Sequence, residues 1–160
     1  MLKWDHRALT VLDQLTHAGY RTVLVGGCVR DSLLGLTPAD YDLCTNAKPE
    51  AIAKVFGSHQ LLHHGEKHGT IGVVLDGEVF EITTFRTEGG YQDSRHPGWV
   101  RFVPNVKEDL SRRDFTVNAM AYNPKTGYID PFGGQEDLQR GILRAVGDPT
   151  TRFTEDALRI

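Results

Sequence analysis

The sequence predicts an α/β domain of the α+β kind, in which helices cover one face of a small mixed sheet. Segments with apolar residues at helical spacing alternate along the chain with short apolar runs that are typical of strands. The clearest two strands, 71–75 and 78–85, flank Asp76-Gly77, a strong signal for a two-residue hairpin turn. The 160 residues are enough for one domain with its own core.

Helices are predicted where apolar side chains recur every three or four residues. The first covers 5–18, and its inward residues are Ala8, Val11, Leu12 and Leu15. Pro49 suits the start of another helix, because its ring fixes φ and the first turn needs no N–H. The remaining predicted helices cover 28–35, 107–120 and 135–140, and a last one begins at Asp148-Pro149.

Strands are predicted where short apolar runs lie between turn signals. Besides the hairpin, the predicted strands are 22–25, 40–44, 100–103 and 142–146, with two more around a turn at 122–128. Residues 63–69 and 87–98 are predicted to be loops, since they are polar and contain several glycines.

Composition excludes several classes of protein. The formal net charge is −3, so no overall basic surface is available for nucleic acid, and RNA contact would need a local patch. Cys28 and Cys44 lack metal-ligand spacing and indicate a reduced, cytoplasmic protein. No apolar run approaches the roughly 18 residues of a membrane helix. The last residues resemble the beginning of a helix, so we expect the chain to be part of a longer protein.

The first functional motif is a glycine pair between a strand and a helix. Gly26-Gly27 follows the apolar run 22–25 and precedes a predicted helix. Such a turn lets backbone N–H groups approach phosphate, and the helix dipole favours an anion there. Arg30 adds a guanidinium that can bind phosphate oxygens. A glycine pair alone is more often a packing turn, so its meaning depends on its neighbours in the sequence.

A pair of carboxylates follows the glycines. Asp40 and Asp42 are two apart, and in an extended strand such side chains point to the same face. Neighbouring carboxylates are costly unless positive charge lies against them. Mg²⁺ suits such a pair, because it prefers one or two carboxylates together with substrate phosphates. A lone pair usually decorates a loop, but beside the glycine turn it predicts a site for phosphoryl or nucleotidyl transfer.

Each of the other candidate residues is open to two interpretations. Glu81 is either a solvent-facing acid of its strand or a third catalytic carboxylate, since two-metal chemistry needs several oxygen ligands. Arg113 and Asp114 form either a solvated charged face or a contact to nucleotide phosphate and ribose. Asp156 and Arg159 are three apart on a predicted helix, and form either a surface ion pair or an edge that hydrogen-bonds a base.

In combination these motifs resemble the catalytic head of class II tRNA nucleotidyltransferases, the CCA-adding enzymes. The stretches that carry the resemblance follow the family order across nearly the whole chain: 26–31, 40–42, 81–85, 112–120, 130–134 and 155–159. The resemblance implies the nucleotidyltransferase fold of the polymerase β superfamily, with the head over 1–147 and the start of a helical neck over 148–160. It also implies addition of C and A from CTP and ATP to the tRNA 3′ end, without a nucleic-acid template.

The resemblance assigns a role to each candidate residue. Asp40 and Asp42 would hold Mg²⁺, with Glu81 as the further catalytic acid. Gly26, Gly27 and Arg30 would bind the triphosphate, whereas Arg113 and Asp114 would bind phosphate or ribose. Asp156 and Arg159 would read the base.

Related activities remain open from the sequence. Bacterial poly(A) polymerases share most of these motifs, although the segment 65–70 is more similar to CCA-adding enzymes. Enzymes that add only C or only A are also related, and the full-length loop 87–98 favours complete CCA or A-only addition. An alternative of another class is a regulatory fragment that binds nucleotide without turnover.

Overall fold

The computed structural model describes residues 5–89 and 99–147. Its helices are α1 (His6–His17), α2 (Gly27–Leu33), α3 (Pro49–Val55), α4 (Val106–Ser111) and α5 (Gly134–Arg140), with 3₁₀ turns at Glu66–His68 and Thr116–Asn118. Its strands are β1 (Thr22–Val25), β2 (Asp42–Thr45), β3 (Leu61–Leu62), β4 (Thr70–Leu75), β5 (Glu78–Thr84), β6 (Arg86–Gly89), β7 (Trp99–Phe102), β8 (Ala121–Asn123) and β9 (Gly127–Ile129).

Seven strands form one sheet in the order β3-β4-β5-β2-β1-β8-β9. The sheet is mixed, as predicted, because β2 and β5 run parallel whereas its other neighbouring strands are antiparallel. β6 and β7 form a separate two-stranded ribbon. The parallel pairing puts the beginning of β2 beside the middle of β5, and this is where the candidate carboxylates meet.

The two faces of the sheet carry different layers. Leu24, Leu43 and Ile82 face α1, α2 and α3, whose inward residues belong to the same, larger core. Alternate residues on the same strands, such as Val25 and Cys44, face a second cluster that contains Leu110 of α4. The helices α1–α3 therefore cover one face, and the opposite face is left for α4 and the candidate site.

Most predicted elements are confirmed, and the differences have physical causes. The helix predicted over 107–120 ends at Ser111, because the chain turns after it and pairs with a distant segment: the Thr116 N–H donates to the Arg144 carbonyl at 2.9 Å and the Val146 N–H to the Asp114 carbonyl at 2.9 Å. The strand predicted over 142–146 is reduced to one bridge between Phe115 and Ala145.

The predicted loop 87–98 is partly wrong. Arg86–Gly89 pairs with Trp99–Phe102, so the beginning of that segment is a strand. Residues 90–98, and the helix predicted to begin at Asp148-Pro149, lie outside the described residues. Across the part of the chain that is described, no helix has the length and apolar character that a membrane crossing requires.

Candidate functional site

The glycine turn lies where the sequence places it, at the junction of β1 and α2. Gly26 precedes the helix with φ 75° and ψ −140°, a conformation that side chains other than glycine rarely adopt. Its N–H donates to the Met120 carbonyl at 3.3 Å, which fixes the turn against β8. A Cβ built on Gly26 would lie 3.6 Å from Nη1 of Arg113. The turn thus brings two of the predicted nucleotide-binding residues together.

Arg30 is held over this turn by hydrogen bonds to its own chain. Its Nη1 donates to Oδ1 of Asn118 at 2.6 Å, and its Nε donates to Oδ1 of Asp31 at 3.0 Å. A Cβ added to Gly27 would lie 3.2 Å from Nη2 of Arg30, so the guanidinium covers the first residue of α2. The arginine is therefore oriented before any ligand arrives.

The carboxylates lie on the sheet face opposite α1–α3. Asp42 is the first residue of β2 and is in register with Glu81 on β5. Asp40 precedes the strand by two residues, so the expectation that both aspartates lie within it holds only for Asp42. All three nevertheless line one cleft of about 370 Å³, together with Tyr41 and Val79.

The cleft carries excess negative charge. Burial raises the pKa of Asp42 above its ordinary value, and the neighbouring Glu81 and Asp40 raise it further, whereas Arg113 lowers it. The ionised form is therefore penalised, and a bound cation would relieve the penalty. Hard carboxylate oxygens are the ligands that Mg²⁺ prefers, so the donor set fits this metal.

The carboxylates alone do not complete a metal cage. Within residues 5–89 and 99–147, no group of three or more His, Cys, Asp or Glu side chains is arranged to hold an ion. Mg²⁺ commonly keeps several waters and takes substrate phosphates as ligands, so an incomplete protein site is what this ion tolerates.

Arg113 approaches the same cleft from the end of α4. Its Nη2 donates to Oδ1 of Asp109 at 3.2 Å and to Sγ of Cys44 at 3.5 Å. Burial opposes the charge on the guanidinium, but the carboxylates of Asp109 and Asp42 favour it, and the pKa of Arg113 is raised. Burial raises the pKa of the Cys44 thiol to about 12, so at neutral pH this contact is made by a neutral thiol.

Asp114 is connected to Arg30, beside the glycine turn, through the side chain of Asn118. Its Oδ1 accepts from its neighbour Phe115 N–H at 2.6 Å and from Nδ2 of Asn118 at 3.2 Å. Asn118 in turn accepts from Arg30, so one hydrogen-bonded chain runs from Arg30 to Asp114. One hydrogen-bond network therefore fixes the relative positions of Arg30 and Asp114, two of the predicted nucleotide-binding residues.

Sequence reasoning missed two members of this site. Asn118 was visible only as part of a matching stretch, with no role of its own. Asp109 received no role from the sequence, although its spacing of four residues from Arg113 could have indicated a pair. Asp156 and Arg159, the predicted base-reading residues, lie outside the described residues.

Comparison with known proteins places this arrangement in the class of nucleotidyltransferase head domains. The chain belongs to the Poly A polymerase head domain family, whose family model matches residues 22–144. The resemblance inferred from the motifs is therefore confirmed.

Similar curated proteins are CCA-adding enzymes. That of Lactobacillus helveticus is 50% identical over 154 residues, and that of Geobacillus thermodenitrificans is 47% identical over 154 residues, each alignment covering 96% of this chain. The chain spans about 38% of the length of these relatives.

Solved structures give the same result. The crystal structure of the Bacillus stearothermophilus CCA-adding enzyme in complex with CTP superposes with a TM-score of 0.84 at 45% identity, covering 95% of this chain and 36% of that one. The Thermotoga maritima CCA-adding enzyme complexed with tRNA gives a TM-score of 0.76 at 29% identity, covering 98% of this chain and 36% of that one.

Proposed function

We propose that the chain is the catalytic head of a cytoplasmic tRNA nucleotidyltransferase that adds C and A from CTP and ATP to the tRNA 3′ end without a template. The observation that carries the proposal is the cleft lined by Asp40, Asp42 and Glu81. Arg113 lowers the pKa of Asp42 in this cleft and also lies against the Gly26 turn. The similarity to CCA-adding enzymes over 96% of the chain supports the choice of substrates. Residues 1–147 form the head in this proposal, and 148–160 begin a helical neck.

Mg²⁺ is the proposed cofactor, held by Asp40 and Asp42 with Glu81 close by. When bound, it lowers the pKa of the attacking hydroxyl and neutralises charge on the triphosphate. The raised pKa of Asp42 supports the assignment, because burial and neighbouring acids have created a place where positive charge is favoured.

The chain's own residues bind and orient the nucleotide. Gly26 and Gly27 leave the backbone open to the triphosphate, and Arg30 and Arg113 donate charge-assisted hydrogen bonds to its oxygens. Asp114 accepts from the ribose. The tRNA 3′-hydroxyl attacks the α-phosphorus, the bond to the β-phosphate oxygen breaks, and pyrophosphate leaves. No covalent enzyme intermediate is required.

Base selection is assigned to Asp156 and Arg159. A carboxylate can accept from the amino group that cytosine and adenine share, and a guanidinium can donate to a ring nitrogen of either base. Uracil and guanine present a carbonyl in place of that amino group. Leaving buried polar groups unpaired costs about 1–3 kcal/mol each, which favours CTP and ATP.

The test is incorporation of labelled nucleotides by the protein as naturally expressed. Each of the four nucleotides is offered with Mg²⁺ to tRNA that lacks its 3′-terminal CCA, to mature tRNA and to an unrelated RNA. We expect C and then A on the shortened tRNA only. Long A tracts on the unrelated RNA would identify a poly(A) polymerase, and addition of A alone an A-adding enzyme.

A control separates turnover from binding. Asp42→Asn and Asp40→Asn should abolish incorporation but still bind CTP, since the glycine turn and Arg30 are untouched. Saturable CTP binding by the wild type, without incorporation into any RNA, would refute the enzymatic proposal and leave a regulatory nucleotide-binding module.

A further inference from the structure

Asp109 is a buried acid that the proposed chemistry leaves without a role. It lies on α4 with no exposed surface. Its Oδ2 accepts from the Arg86 N–H at 2.9 Å, and its Oδ1 accepts from Nη2 of Arg113 at 3.2 Å. Nη2 of Arg112 lies 3.7 Å from Oδ2, and Sγ of Cys44 lies 3.9 Å from Oδ1. The carboxylate thus contacts two arginines, a thiol and the beginning of β6.

A carboxylate without exposure is expensive unless it is paired and hydrogen-bonded. Apolar residues could close this part of the core, as Leu110 does one position further along α4. An acid here therefore needs a reason beyond packing. The arginine that it holds supplies one, because Arg113 is the cation beside the carboxylate cleft.

The hydrogen bonds of Arg113 divide its guanidinium into two parts. Nη2 is fully engaged by Asp109 and Cys44. Nη1 makes no hydrogen bond within the described residues and lies 3.6 Å from where a Cβ on Gly26 would be. The Nε is buried and also has no partner there. The guanidinium of Arg113 is thus held at Nη2, and its Nη1 is directed towards the glycine turn.

We infer that Asp109 is a positioning residue, which holds Arg113 by Nη2 so that Nη1 faces the triphosphate or ribose of the incoming nucleotide. The inference rests on the proposed function. Cys44 cannot do this alone, since a neutral thiol is a weak acceptor. Without Asp109, the guanidinium would be free to turn towards the acids of the cleft, where it would compete with bound metal instead of binding nucleotide.

The test is a double-mutant cycle between Asp109→Asn and Arg113→Ala in the protein as naturally expressed. Asparagine keeps the shape and one acceptor oxygen but removes the charge. We expect Asp109→Asn to lower kcat/KM for CTP and ATP alike by about tenfold to a hundredfold, chiefly through KM. In the Arg113→Ala background the same change should cost less than about threefold, because its effect passes through Arg113.

Asp137→Asn is the matched control. Asp137 is also buried, and its Oδ2 accepts from Nε of Arg144 at 3.1 Å and from Oγ1 of Thr116 at 2.6 Å. Arg144 is not in the site, and the amide oxygen of asparagine can accept both hydrogen bonds, so the turn that carries Asn118 keeps its support. Asp137→Asn should lower the melting temperature and leave KM within about threefold. An unchanged kcat/KM in Asp109→Asn, or an equal loss with and without Arg113, would overturn the inference.

Two further measurements decide the role of Asp109 if the cycle cannot be carried out as described. If the wild type adds no nucleotide, the proposed function fails, and the same cycle measured on equilibrium CTP binding still decides the role of Asp109. If Asp109→Asn does not fold, the Arg113→Ala variant is assayed with added guanidinium ion. Saturable rescue of nucleotide affinity would show that Asp109 holds a guanidinium in the active position, and its absence would overturn the inference.

Discussion

Gly134→Ala is a severe test of how the fold supports the site. Gly134 is the first residue of α5, and its backbone lies against the 3₁₀ turn Thr116–Asn118. A Cβ built there would lie 2.2 Å from the Thr116 carbonyl oxygen and 2.9 Å from Cγ of Met120. The helix cannot easily retreat, because the Gly134 N–H donates to Oδ1 of Asp130 at 2.6 Å.

Two opposing effects decide the sign of the change. Alanine is a better helix former than glycine by about 1 kcal/mol, partly because it restricts the unfolded chain. Overpacking typically costs 1–3 kcal/mol, and the cost is at the upper end here, roughly 3 kcal/mol, because a backbone carbonyl cannot rotate away as a side chain does. We therefore expect a net loss of about 2 kcal/mol, which lowers the Tm by about 4–8 °C.

Differential scanning calorimetry of the wild type and variant measures this change. Gln139→Ala, on the exposed side of the same helix, is the control and should shift the Tm by little. Because the displaced turn carries Asn118, which holds Arg30 and Asp114, the Gly134 variant should also bind CTP more weakly. A Tm at or above that of the wild type would refute the packing argument.

Three further predictions concern charge and backbone. Asp42→Asn should abolish nucleotide addition and yet raise the Tm of the ligand-free protein at neutral pH. The pKa of Asp42 is raised in the folded protein, so ionisation of this carboxyl above about pH 4 costs native stability. The gain in Tm should therefore vanish as the pH falls towards 4. Gly26→Ala should lower the Tm and weaken CTP and ATP binding alike, whereas Gly77→Ala, at a similar φ of +80° in open space, should lower the Tm alone. Asp137→Asn should reduce the loss of unfolding free energy at acid pH. Hydrogen bonds from Thr116 and Arg144 lower the pKa of Asp137, so the stabilisation by its carboxylate is present above the unfolded value of 3.8 and is lost as the pH falls below it. If urea titrations gave the wild type and the variant the same fall in unfolding free energy below pH 4, this prediction would be wrong.

Local signals in the sequence were sufficient for the parts of the site that a short segment forms. The run 22–25, the glycine pair and the helix after it are consecutive, and each residue's conformation follows from its neighbours. The Asp76-Gly77 turn likewise determines its own hairpin, with φ values of 51° and 80° at the turn.

Other parts of the site depend on distant residues and could not be predicted locally. The end of α4 is set by hydrogen bonds between 114–116 and 144–146, which no helical periodicity reveals. The burial of Asp109 depends on Arg86 and Cys44, which arrive from two other segments, 23 and 65 residues away. Asn118, which joins Arg30 to Asp114, is 88 residues from Arg30 in the sequence, so its role became visible only in the folded chain.

The charges of the site make metal removal informative. The positive charges of Arg30 and Arg113 are already compensated by ion pairs within the chain, with Asp31 and Asp109 respectively. Asp40, Asp42 and Glu81 add further negative charge in the cleft. A nucleoside triphosphate is itself strongly anionic, so the described surface offers it little net attraction without a divalent cation.

CTP affinity should therefore fall steeply when Mg²⁺ is chelated. Added monovalent salt should then partly restore binding, since it screens the repulsion between the triphosphate and the carboxylates; the Debye length falls from about 10 Å at 0.1 M to about 3 Å at 1 M. Isothermal titration calorimetry with EDTA and with Mg²⁺, at low and high salt, measures both effects. In the Asp40→Asn, Asp42→Asn double variant, CTP should bind equally with and without Mg²⁺, because the metal ligands and the repulsion are removed together. If the wild type bound CTP as tightly in EDTA as in Mg²⁺, the arginines and the glycine turn would be sufficient for binding, and Asp40 and Asp42 would have no part in holding the nucleotide.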